Sequence, residues 1–481
     1  MFQGTGSDVG KSLVVAGLCR ALKRRRRIPQ PFKPQNMSNN AAVTEDGGEI
    51  GRAQELQARA AGVVPTVHMN PVLLKPQSES GSQVIVHGKV YGRFKAIDYY
   101  QLKPRLLESV MESFEIIKKN ADIVLVEGAG SPAEVNLRHG DIANMGFAEV
   151  ADVPVILIAD IDRGGVIASL VGTHAVLSES ERTRVKGFIV NKFKGDKSLF
   201  DDGIKIVREK TGWQCFGVIP YLPEVNILPK EDSMFLDSQI NESSFEREIK
   251  IAVPRLSRIA NFDDLDPLSS EPDVSIRIID PNHPIPSDTD IILLPGSKST
   301  ISDLQLIREK NWDIDILAHF RLGKVVIGLC GGFQILGKKV IDPDGIEGVP
   351  GEIRGLGLLD VNTMIDGDKT LKKVSGTEIL TGAKVSGYEM HIGTTIGPDM
   401  GRPWFRLSDN RDEGALSRDG LIFGTYMHGL FASDQFRGSF LNRFRSGAII
   451  GSSYENKVEE ALDQLAINLE KHLDVDLILS L

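Results

Sequence analysis

The chain has 481 residues, 41% of them hydrophobic and 25% charged, which is ordinary for a globular protein of two or three domains. The net charge of -9 argues against nucleic acid as the main partner, and no apolar run is long enough to cross a membrane. The 3 cysteines are scattered and no signal-peptide pattern opens the chain, so a cytoplasmic protein with reduced thiols is expected.

A glycine-rich loop opens the chain and precedes a predicted helix over residues 13–22. The backbone N–H groups of such a loop bind phosphate, its lysine reaches the terminal phosphates, and the next hydroxyl binds magnesium. We therefore predict a site for ATP and Mg²⁺. The predicted nucleotide-binding residues of the loop are Gly4, Thr5, Gly6, Ser7, Asp8, Val9, Gly10, Lys11 and Ser12. Because the first glycine lies one residue further from the lysine than usual, the loop resembles that of dethiobiotin synthetase and its ATPase relatives.

Apolar runs over residues 123–126, 155–159 and 187–190 predict strands that are buried on both faces. Such strands are typical of a parallel sheet flanked by helices, so the predicted fold class is α/β. In such sheets, ligands bind beyond the carboxyl ends of the strands. Only 3 residues precede the glycine-rich loop, so either its strand is short or the natural chain begins earlier.

Polar residues that follow these strands are candidates for ligand contacts. Glu127 follows the first run, where a carboxylate directed at magnesium is expected, and by resemblance to the dethiobiotin synthetase group it binds the metal with Ser12. Asn191 follows the third run and is placed to read the adenine edge, although a simple turn residue explains it equally well. Asp46 and Glu49 are weaker candidates for a further metal ligand, since a solvated loop acid is an equally good interpretation.

A change of composition divides the chain, because a stretch rich in Ser, Asn, Asp and Glu follows the first domain. Apolar runs at 291–294 and 325–328 predict a second α/β domain, and short alternating segments over 345–418 predict antiparallel strands within it. The predicted division is a first domain over 1–229, a linker over 230–248, a second domain over 249–447 and a C-terminal helical extension over 448–481.

A second glycine-flanked motif, Gly328-Leu329-Cys330-Gly331-Gly332, follows the second of these runs. A cysteine on a sharp strand-to-helix turn is exposed to substrate, and the helix N-terminus favours its thiolate. We predict that Cys330 is a nucleophile and that Cys19 and Cys215, which lack this context, are structural. A phosphate loop and a cysteine nucleophile in one chain indicate an enzyme that uses ATP on one substrate and hydrolyses another, as glutamine-dependent amide formation requires.

A cysteine nucleophile needs a base, and the candidates are His428 and His391. We favour His428 because it follows the apolar run 421–423 and precedes a predicted helix. His391 is expected to support the site or to line the domain interface. Gly296 follows a predicted strand, so an N–H group there is predicted to form an oxyanion hole with the N–H of Gly331.

Six longer stretches complete the pattern, at residues 32–38, 51–54, 69–76, 127–134, 159–165 and 261–268. Together with both glycine-rich motifs they closely resemble the cobyric acid synthase family over essentially the whole chain. The resemblance implies a dethiobiotin-synthetase-like ATPase domain fused to a class I glutamine amidotransferase domain.

The resemblance also implies the reaction. Adenosylcobyrinic acid a,c-diamide is amidated at its b, d, e and g carboxylates to give adenosylcobyric acid in cobalamin biosynthesis, with ATP, Mg²⁺ and glutamine as the ammonia donor. Because the corrinoid is large and anionic, the predicted contacts are Lys33, Lys75 and Arg163. Each of these could equally be a surface or structural cation.

One position departs from the class I glutaminases, which usually carry a glutamate two residues after the histidine. Leu430 stands there, so the third member of the triad is either missing or supplied from elsewhere in the chain, and a Cys–His dyad is the simplest interpretation. Two alternatives stay open. Cobyrinic acid a,c-diamide synthase has the same modules, although stretches 33–38 and 69–76 favour the cobyric acid family. A partitioning-type ATPase makes no amide and has no use for Cys330.

Overall fold

The computed structural model describes residues 1–76, 81–229, 247–347, 349–445 and 453–481. Within them the chain forms two α/β halves, each built around a mainly parallel sheet, as the sequence predicts. Most of the predicted linker, residues 230–246, lies outside the described residues, so the domain boundaries stay a prediction. No helix in the described part of the chain combines the length and the apolar character that a membrane crossing requires.

The first half carries the glycine-rich loop. Its strands are Phe2–Gly4 (β1), Pro29–Phe32 (β2), Gln35–Met37 (β3), Ala41–Val43 (β4), Glu49–Gly51 (β5), Val72–Pro76 (β6), Gly81–Val86 (β7), Lys89–Lys95 (β8), Ile123–Val126 (β9), Val155–Asp160 (β10), Val185–Phe193 (β11) and Gln214–Pro220 (β12). Its helices are Lys11–Arg24 (α1), Arg52–Ala61 (α2), Ala96–Lys119 (α3), Met145–Val150 (α4), Val166–Val176 (α5), Glu179–Arg184 (α6) and Asp201–Thr211 (α7).

The second half begins with β13. Its strands are Ile249–Pro254 (β13), Ile259–Ala260 (β14), Val274–Ile279 (β15), Ile291–Leu294 (β16), Gly296–Ser297 (β17), Val325–Leu329 (β18), Lys339–Asp342 (β19), Gly351–Arg354 (β20), Asn362–Met364 (β21), Thr370–Glu378 (β22), Lys384–His391 (β23), Thr394–Ile396 (β24), Phe405–Leu407 (β25), Asp412–Glu413 (β26), Ala415–Leu416 (β27), Ile422–Thr425 (β28) and Met427–His428 (β29). Its helices are Asp266–Ser269 (α8), Thr300–Glu309 (α9), Trp312–Arg321 (α10), Gly331–Leu336 (α11) and Asp434–Leu441 (α12), and the chain ends with Tyr454–His472 (α13) and Val475–Leu479 (α14).

The sheet of the first half is parallel and runs in the order β2-β9-β1-β10-β11-β12, where a bridge between Phe2 and Glu127 joins β9 to β1. The three predicted strands are confirmed as β9, β10 and β11. Because parallel strands end at the same edge, Gly4, Glu127 and Asn191 lie together at the carboxyl edge of the sheet.

Both faces of this sheet are covered. Ile156 and Ile158 of β10 enter one hydrophobic core with α1, whereas Val155, Leu157 and Ala159 enter a second core with α3. This alternation follows from the two-residue period of a strand, and it explains why the predicted strands are apolar throughout.

The second half contains a sheet in the order β15-β13-β16-β18-β28-β27, parallel except at β27. The predicted antiparallel region is confirmed, since β22, β23, β25, β26 and β29 form an antiparallel sheet. Its strand β23 also reaches the first half, where a small apolar core joins the two halves. The members of this core are Ala41, Val43, Leu73, Ile85, Tyr388 and Met390.

The C-terminal helix returns to the first half and covers α1. Leu465 and Leu469 of α13 lie over Gly17 of α1, where a Cβ atom would come within 2.5 Å of Leu469 Cδ1. Arg20 of α1 pairs with Glu459 of α13 at the edge of this contact. The sequence predicts a helical extension at this end of the chain, but it does not indicate which surface the helix covers.

Candidate active sites

The glycine-rich loop leads from β1 into α1. Gly10 has a φ of 92°, and a Cβ atom there would lie 2.2 Å from Asn191 Nδ2, so this position requires glycine. Lys11 Nζ donates to the carbonyls of Gly6 at 3.1 Å and of Gly130 at 3.2 Å. The ammonium group therefore folds back over the loop, where the phosphates of a nucleotide would lie.

Glu127 lies at the centre of a buried hydrogen-bond cluster. Its Oε1 accepts from Ser12 Oγ at 2.8 Å and from Lys33 Nζ at 3.0 Å, and its Oε2 accepts from Gln57 Nε2 at 2.6 Å. Burial opposes the charge, but Lys33 and these hydrogen bonds hold the pKa of Glu127 below its usual value. The hydroxyl of Ser12 and the carboxylate of Glu127 fit Mg²⁺, which takes one or two protein oxygens together with phosphate oxygens.

A cavity of about 1050 Å³ opens beside this cluster and is lined by Lys11, Ser12 and Glu127. Two of the predicted corrinoid contacts, Lys33 and Arg163, line it as well. The volume lies at the upper end of the range for small-molecule sites, so a nucleotide leaves room for a second, bulky substrate.

Asn191 also lines the large cavity. Its side-chain nitrogen donates to the carbonyl of Val9 at 2.9 Å, so this residue holds the glycine-rich loop in place. Its predicted contact with adenine stays a prediction.

Asp46 and Lys75 are not among the residues that line this cavity, so the structure does not place them at the nucleotide site. Asp46 is exposed in the turn between β4 and β5, because that hairpin carries it away from the sheet edge that holds Ser12. Lys75 is fully buried and its Nζ donates to Glu49 Oε2 at 2.9 Å, while Lys369 of the second half pairs with the same carboxylate. Neither Lys75 nor Glu49 lines the large cavity, and their predicted contacts with corrinoid and metal stay predictions.

Cys330 lies in the sharp turn between β18 and α11. Its φ of 52° and ψ of -108° are strained for a residue with a side chain, as is usual at a nucleophile elbow. The turn is also tight, because a Cβ atom at Gly332 would lie 2.1 Å from the carbonyl oxygen of Leu294. The sulfur lies 3.5 Å from the carbonyl oxygen of Met390 on β23.

His428 is buried beside the nucleophile and is oriented by Asp264. Its Nδ1 lies 2.7 Å from Asp264 Oδ2, and Asp264 Oδ1 accepts from the N–H of Gly429 at 2.6 Å. Burial opposes the imidazolium, but Asp264 and the hydrogen bond with Cys330 outweigh it and raise the pKa of His428 to about 10. A histidine between a cysteine and a carboxylate has the arrangement of a catalytic triad.

Asp264 is the residue that sequence reasoning missed. The expected position, two residues after the histidine, holds Leu430, and the carboxylate comes instead from a residue 164 positions upstream. Of the two possibilities that the sequence left open, the geometry favours a third member supplied from elsewhere in the chain, in a Cys–His–Asp arrangement. The stretch 261–268 stood out in the sequence, but nothing in its pattern indicates which side chain meets His428.

A cavity of about 30 Å³ lies at Cys330 and His428, and Gly296 lines it. Gly331 abuts the next residue of the same loop, because a Cβ atom at Gly331 would lie 2.9 Å from the backbone nitrogen of Ser297. Both predicted oxyanion positions thus lie beside the nucleophile, and their role stays a prediction. His391 also lines this cavity and stacks on Tyr426 with 3.8 Å between ring centroids.

Charged side chains form another part of this small cavity, namely Lys298, Glu347 and Lys369. Burial and the neighbouring Lys369 lower the pKa of Lys298 to about 8, while burial raises the pKa of Glu347. A site walled by both signs of charge complements a zwitterionic ligand.

One short segment separates the two cavities. Ile259 and Phe262 line the large cavity, whereas Ala260 and Asn261 line the small one. Ile259 and Ala260 form β14, in which successive side chains point to opposite faces. Asn261 then adopts a left-handed conformation with a φ of 52°, which asparagine tolerates better than most residues.

Two family models match the chain. Residues 1–235 match the CobQ/CobB/MinD/ParA nucleotide binding domain, and residues 250–436 match the CobB/CobQ-like glutamine amidotransferase domain. The cobyric acid synthase of Methylorubrum populi is 57% identical over 100% of this chain and 98% of that protein. The chain belongs to the cobyric acid synthase family. That of Brucella anthropi is 56% identical over 100% of this chain and 99% of that protein.

This membership confirms the resemblance that the motifs indicated. It also confirms the predicted fold class, because one matched model is a nucleotide-binding domain and the other a glutamine amidotransferase domain. The roles of individual residues are a separate matter and are taken up below.

Proposed function

We propose that this protein catalyses the ATP- and glutamine-dependent amidation of the b, d, e and g carboxylates of adenosylcobyrinic acid a,c-diamide, which yields adenosylcobyric acid. The observation that carries the proposal is the pairing of two sites in one chain. A phosphate loop with the buried Glu127 borders a large cavity, whereas Cys330 and His428 line a small one and Asp264 binds His428. The names of relatives that are 56% and 57% identical support the corrinoid substrate.

In the nucleotide-binding half, the residues hold phosphate and offset charge. A carboxylate is a poor acyl donor, so we infer that its oxygen attacks the γ-phosphorus of ATP, releasing ADP and forming an acyl phosphate. The loop N–H groups and Lys11 stabilise the charge on the transferred group. Ser12 and Glu127 would hold Mg²⁺, which supplies positive charge to the phosphates when bound. Lys33 and Arg163 are the proposed contacts for the anionic corrinoid.

In the glutaminase half, Cys330 attacks the side-chain amide carbon of glutamine. His428 delivers the proton that it shares with the Cys330 sulfur to the amide nitrogen, so that ammonia leaves and a glutamyl thioester forms. Water then attacks the thioester with His428 as the base, which releases glutamate and restores the thiol. Asp264 keeps the imidazole oriented, and the N–H groups near Gly296 and Gly331 are proposed to stabilise the oxyanion.

Ammonia released at Cys330 then displaces phosphate from the acyl phosphate to form the amide. Residues of the segment 259–262 line both cavities, so we propose that the route for ammonia crosses this segment. A short internal route keeps ammonia unprotonated and away from bulk water.

The alternatives carry less support. Cobyrinic acid a,c-diamide synthase performs the same chemistry on other carboxylates of the corrinoid, but the full-length relatives named above are cobyric acid synthases. A partitioning-type ATPase has no use for a cysteine, a histidine and an aspartate held in a triad.

The test is mass spectrometry of adenosylcobyrinic acid a,c-diamide after incubation with the protein, ATP, magnesium and glutamine. We expect a stepwise fall in mass as each carboxylate becomes an amide, up to the b, d, e and g positions, and a requirement for both ATP and glutamine. An unchanged corrinoid alongside active glutamine hydrolysis would keep the two-site chemistry and reject this substrate.

A further inference from the structure

Arg52 and Asp263, two residues that the chemistry above leaves unused, meet at the junction of the halves. Arg52, from stretch 51–54, is the first residue of α2, and Asp263 comes from stretch 261–268. Arg52 Nη2 lies 2.8 Å from Asp263 Oδ2, and both side chains are only 10% exposed. An ion pair this buried persists only where its partners are held in place on both sides.

Arg52 also binds a second residue of the glutaminase half. Its Nη2 donates to the hydroxyl of Tyr388 at 2.6 Å, and that hydroxyl accepts from Asn261 Nδ2 at 2.6 Å as well. Asn261 donates in addition to the carbonyl of Ala41 in the first half at 2.9 Å. The guanidinium of Arg52 thus joins α2 to two parts of the glutaminase half, namely the turn that holds Asp263 and the strand β23 that holds Tyr388.

Asp263 and Tyr388, the two contacts of Arg52 described above, both lie close to the proposed base His428. Asp263 immediately precedes Asp264, whose carboxylate binds His428 Nδ1 at 2.7 Å. The ring of Tyr388 stacks on the imidazole of His428 with 5.4 Å between centroids and 21° between planes. Asp264 and Tyr388 therefore hold His428 in position. Arg52 contacts Tyr388 directly, and it contacts Asp263, the residue next to Asp264.

The same helix reaches the nucleotide site. Gln57 of α2 donates to Glu127 Oε2 at 2.6 Å and to the carbonyl of Ser12 at 3.2 Å. A short helix whose first residue contacts the supports of His428 and whose middle contacts Ser12 and Glu127 is suited to link the two sites.

We propose that Arg52, a residue of the nucleotide-binding half, is a positioning residue for the glutaminase site, so that the second half has a correctly placed His428 only when docked on α2. This rests on the proposed role of Cys330 and His428. Arg52 touches neither substrate nor reacting atoms, and it acts through Asp263 and Tyr388.

The test is the rate of glutamate release from glutamine by the full chain, measured without corrinoid. We expect R52M and D263N each to lower kcat by about tenfold or more and to leave KM for glutamine within about threefold, because neither residue lines the cavity at Cys330. If the unmodified chain releases glutamate only with Mg-ATP, every variant is measured with Mg-ATP present.

Arg59 provides a matched control on the same helix. It lies two turns further along α2 and pairs with Glu455 and Glu459 of α13, each at 2.7 Å, instead of with the residues that support His428. R59M is expected to hydrolyse glutamine within about twofold of the unmodified rate. R52K keeps the cation and is expected to recover part of the loss, which a mere folding defect in R52M would not predict.

The double variant R52M/D263N separates positioning from independent damage. R52M and D263N remove the same contact, the one between Arg52 and Asp263. The kcat of the double variant is therefore expected to lie within about twofold of that of the slower single variant. Effects that multiply would overturn the proposal, as would an R52M protein with unmodified kcat. Absence of corrinoid amidation in the unmodified protein would instead reject the proposed function and leave this result standing.

Discussion

A single carboxylate determines how the base meets the nucleophile. Asp264 binds Nδ1 of His428, which leaves Nε2 as the nitrogen that can serve Cys330. The Asp264→Asn change is expected to lower kcat for glutamine hydrolysis by roughly a hundred- to ten-thousand-fold, because an amide favours the wrong tautomer. Glutamate release measures this, and corrinoid amidation supplied with ammonium salt serves as the control, since it bypasses the triad. If this variant hydrolysed glutamine as fast as the unmodified protein, Cys330 and His428 would act as a dyad without Asp264.

The ion pair between His428 and Asp264 makes the free energy of unfolding depend on pH. The pKa of His428 is about 10 in the folded protein, against 6.5 for an unperturbed histidine. Between these two pH values, folded His428 therefore keeps a proton that the unfolded chain releases. The stabilisation is complete below pH 6.5 and is lost as pH rises towards 10. We therefore expect the difference in melting temperature between the unmodified protein and D264N to narrow from pH 7 to pH 10. A constant difference over this range would contradict the assignment.

Cys330 separates the two half-reactions. The Cys330→Ala variant is expected to lose glutamine hydrolysis and glutamine-dependent amidation, because no thioester forms. Amidation supplied with ammonium salt is expected to persist, since Lys11, Ser12 and Glu127 are untouched. Cys19→Ala is the matched control, a buried cysteine of α1 with no part in the proposed chemistry. Loss of both amidation reactions in C330A would mean that the cysteine has a different role.

At the scale of elements, the C-terminal helix belongs to the nucleotide-binding half. Leu469 of α13 is fully buried against Gly17 of α1, whereas Ile467 of the same helix is 42% exposed. Leu469→Ala is expected to lower the free energy of unfolding by about 2–5 kcal/mol, because it leaves a cavity over the helix that follows the phosphate loop. Ile467→Ala is expected to change it by less than about 0.5 kcal/mol. Urea unfolding of both variants measures the difference, and equal effects would reject this packing.

At the scale of the whole molecule, the two sites are distinct in structure and should be separable by mutation. Lys11→Ala is expected to abolish amidation with either glutamine or ammonium salt, because the phosphoryl group loses its cation. Some glutamine hydrolysis is expected to remain, since Cys330, His428 and Asp264 lie in the other half. Assays of glutamate and of corrinoid amide on one preparation measure both. Complete loss of hydrolysis in a folded K11A protein would show that the sites are tightly coupled.

The sequence by itself determined the parts whose signal is local. The glycine-rich loop, the apolar strands β9 to β11, the elbow at Cys330 and the amphipathic helix α13 each follow from a short run of residues, because backbone conformation and burial depend on near neighbours and on period. The motifs also sufficed to identify the family.

Only the tertiary structure decided what depends on distant contacts. It paired His428 with Asp264, moved Lys75 into a buried ion pair with Glu49, left Asp46 exposed and brought Arg52 to Asp263. Charged residues with the same local pattern can face a ligand, solvent or another charge. Which of these occurs depends on contacts between residues that are far apart in the sequence. Such contacts cannot be read from the spacing of residues within a motif.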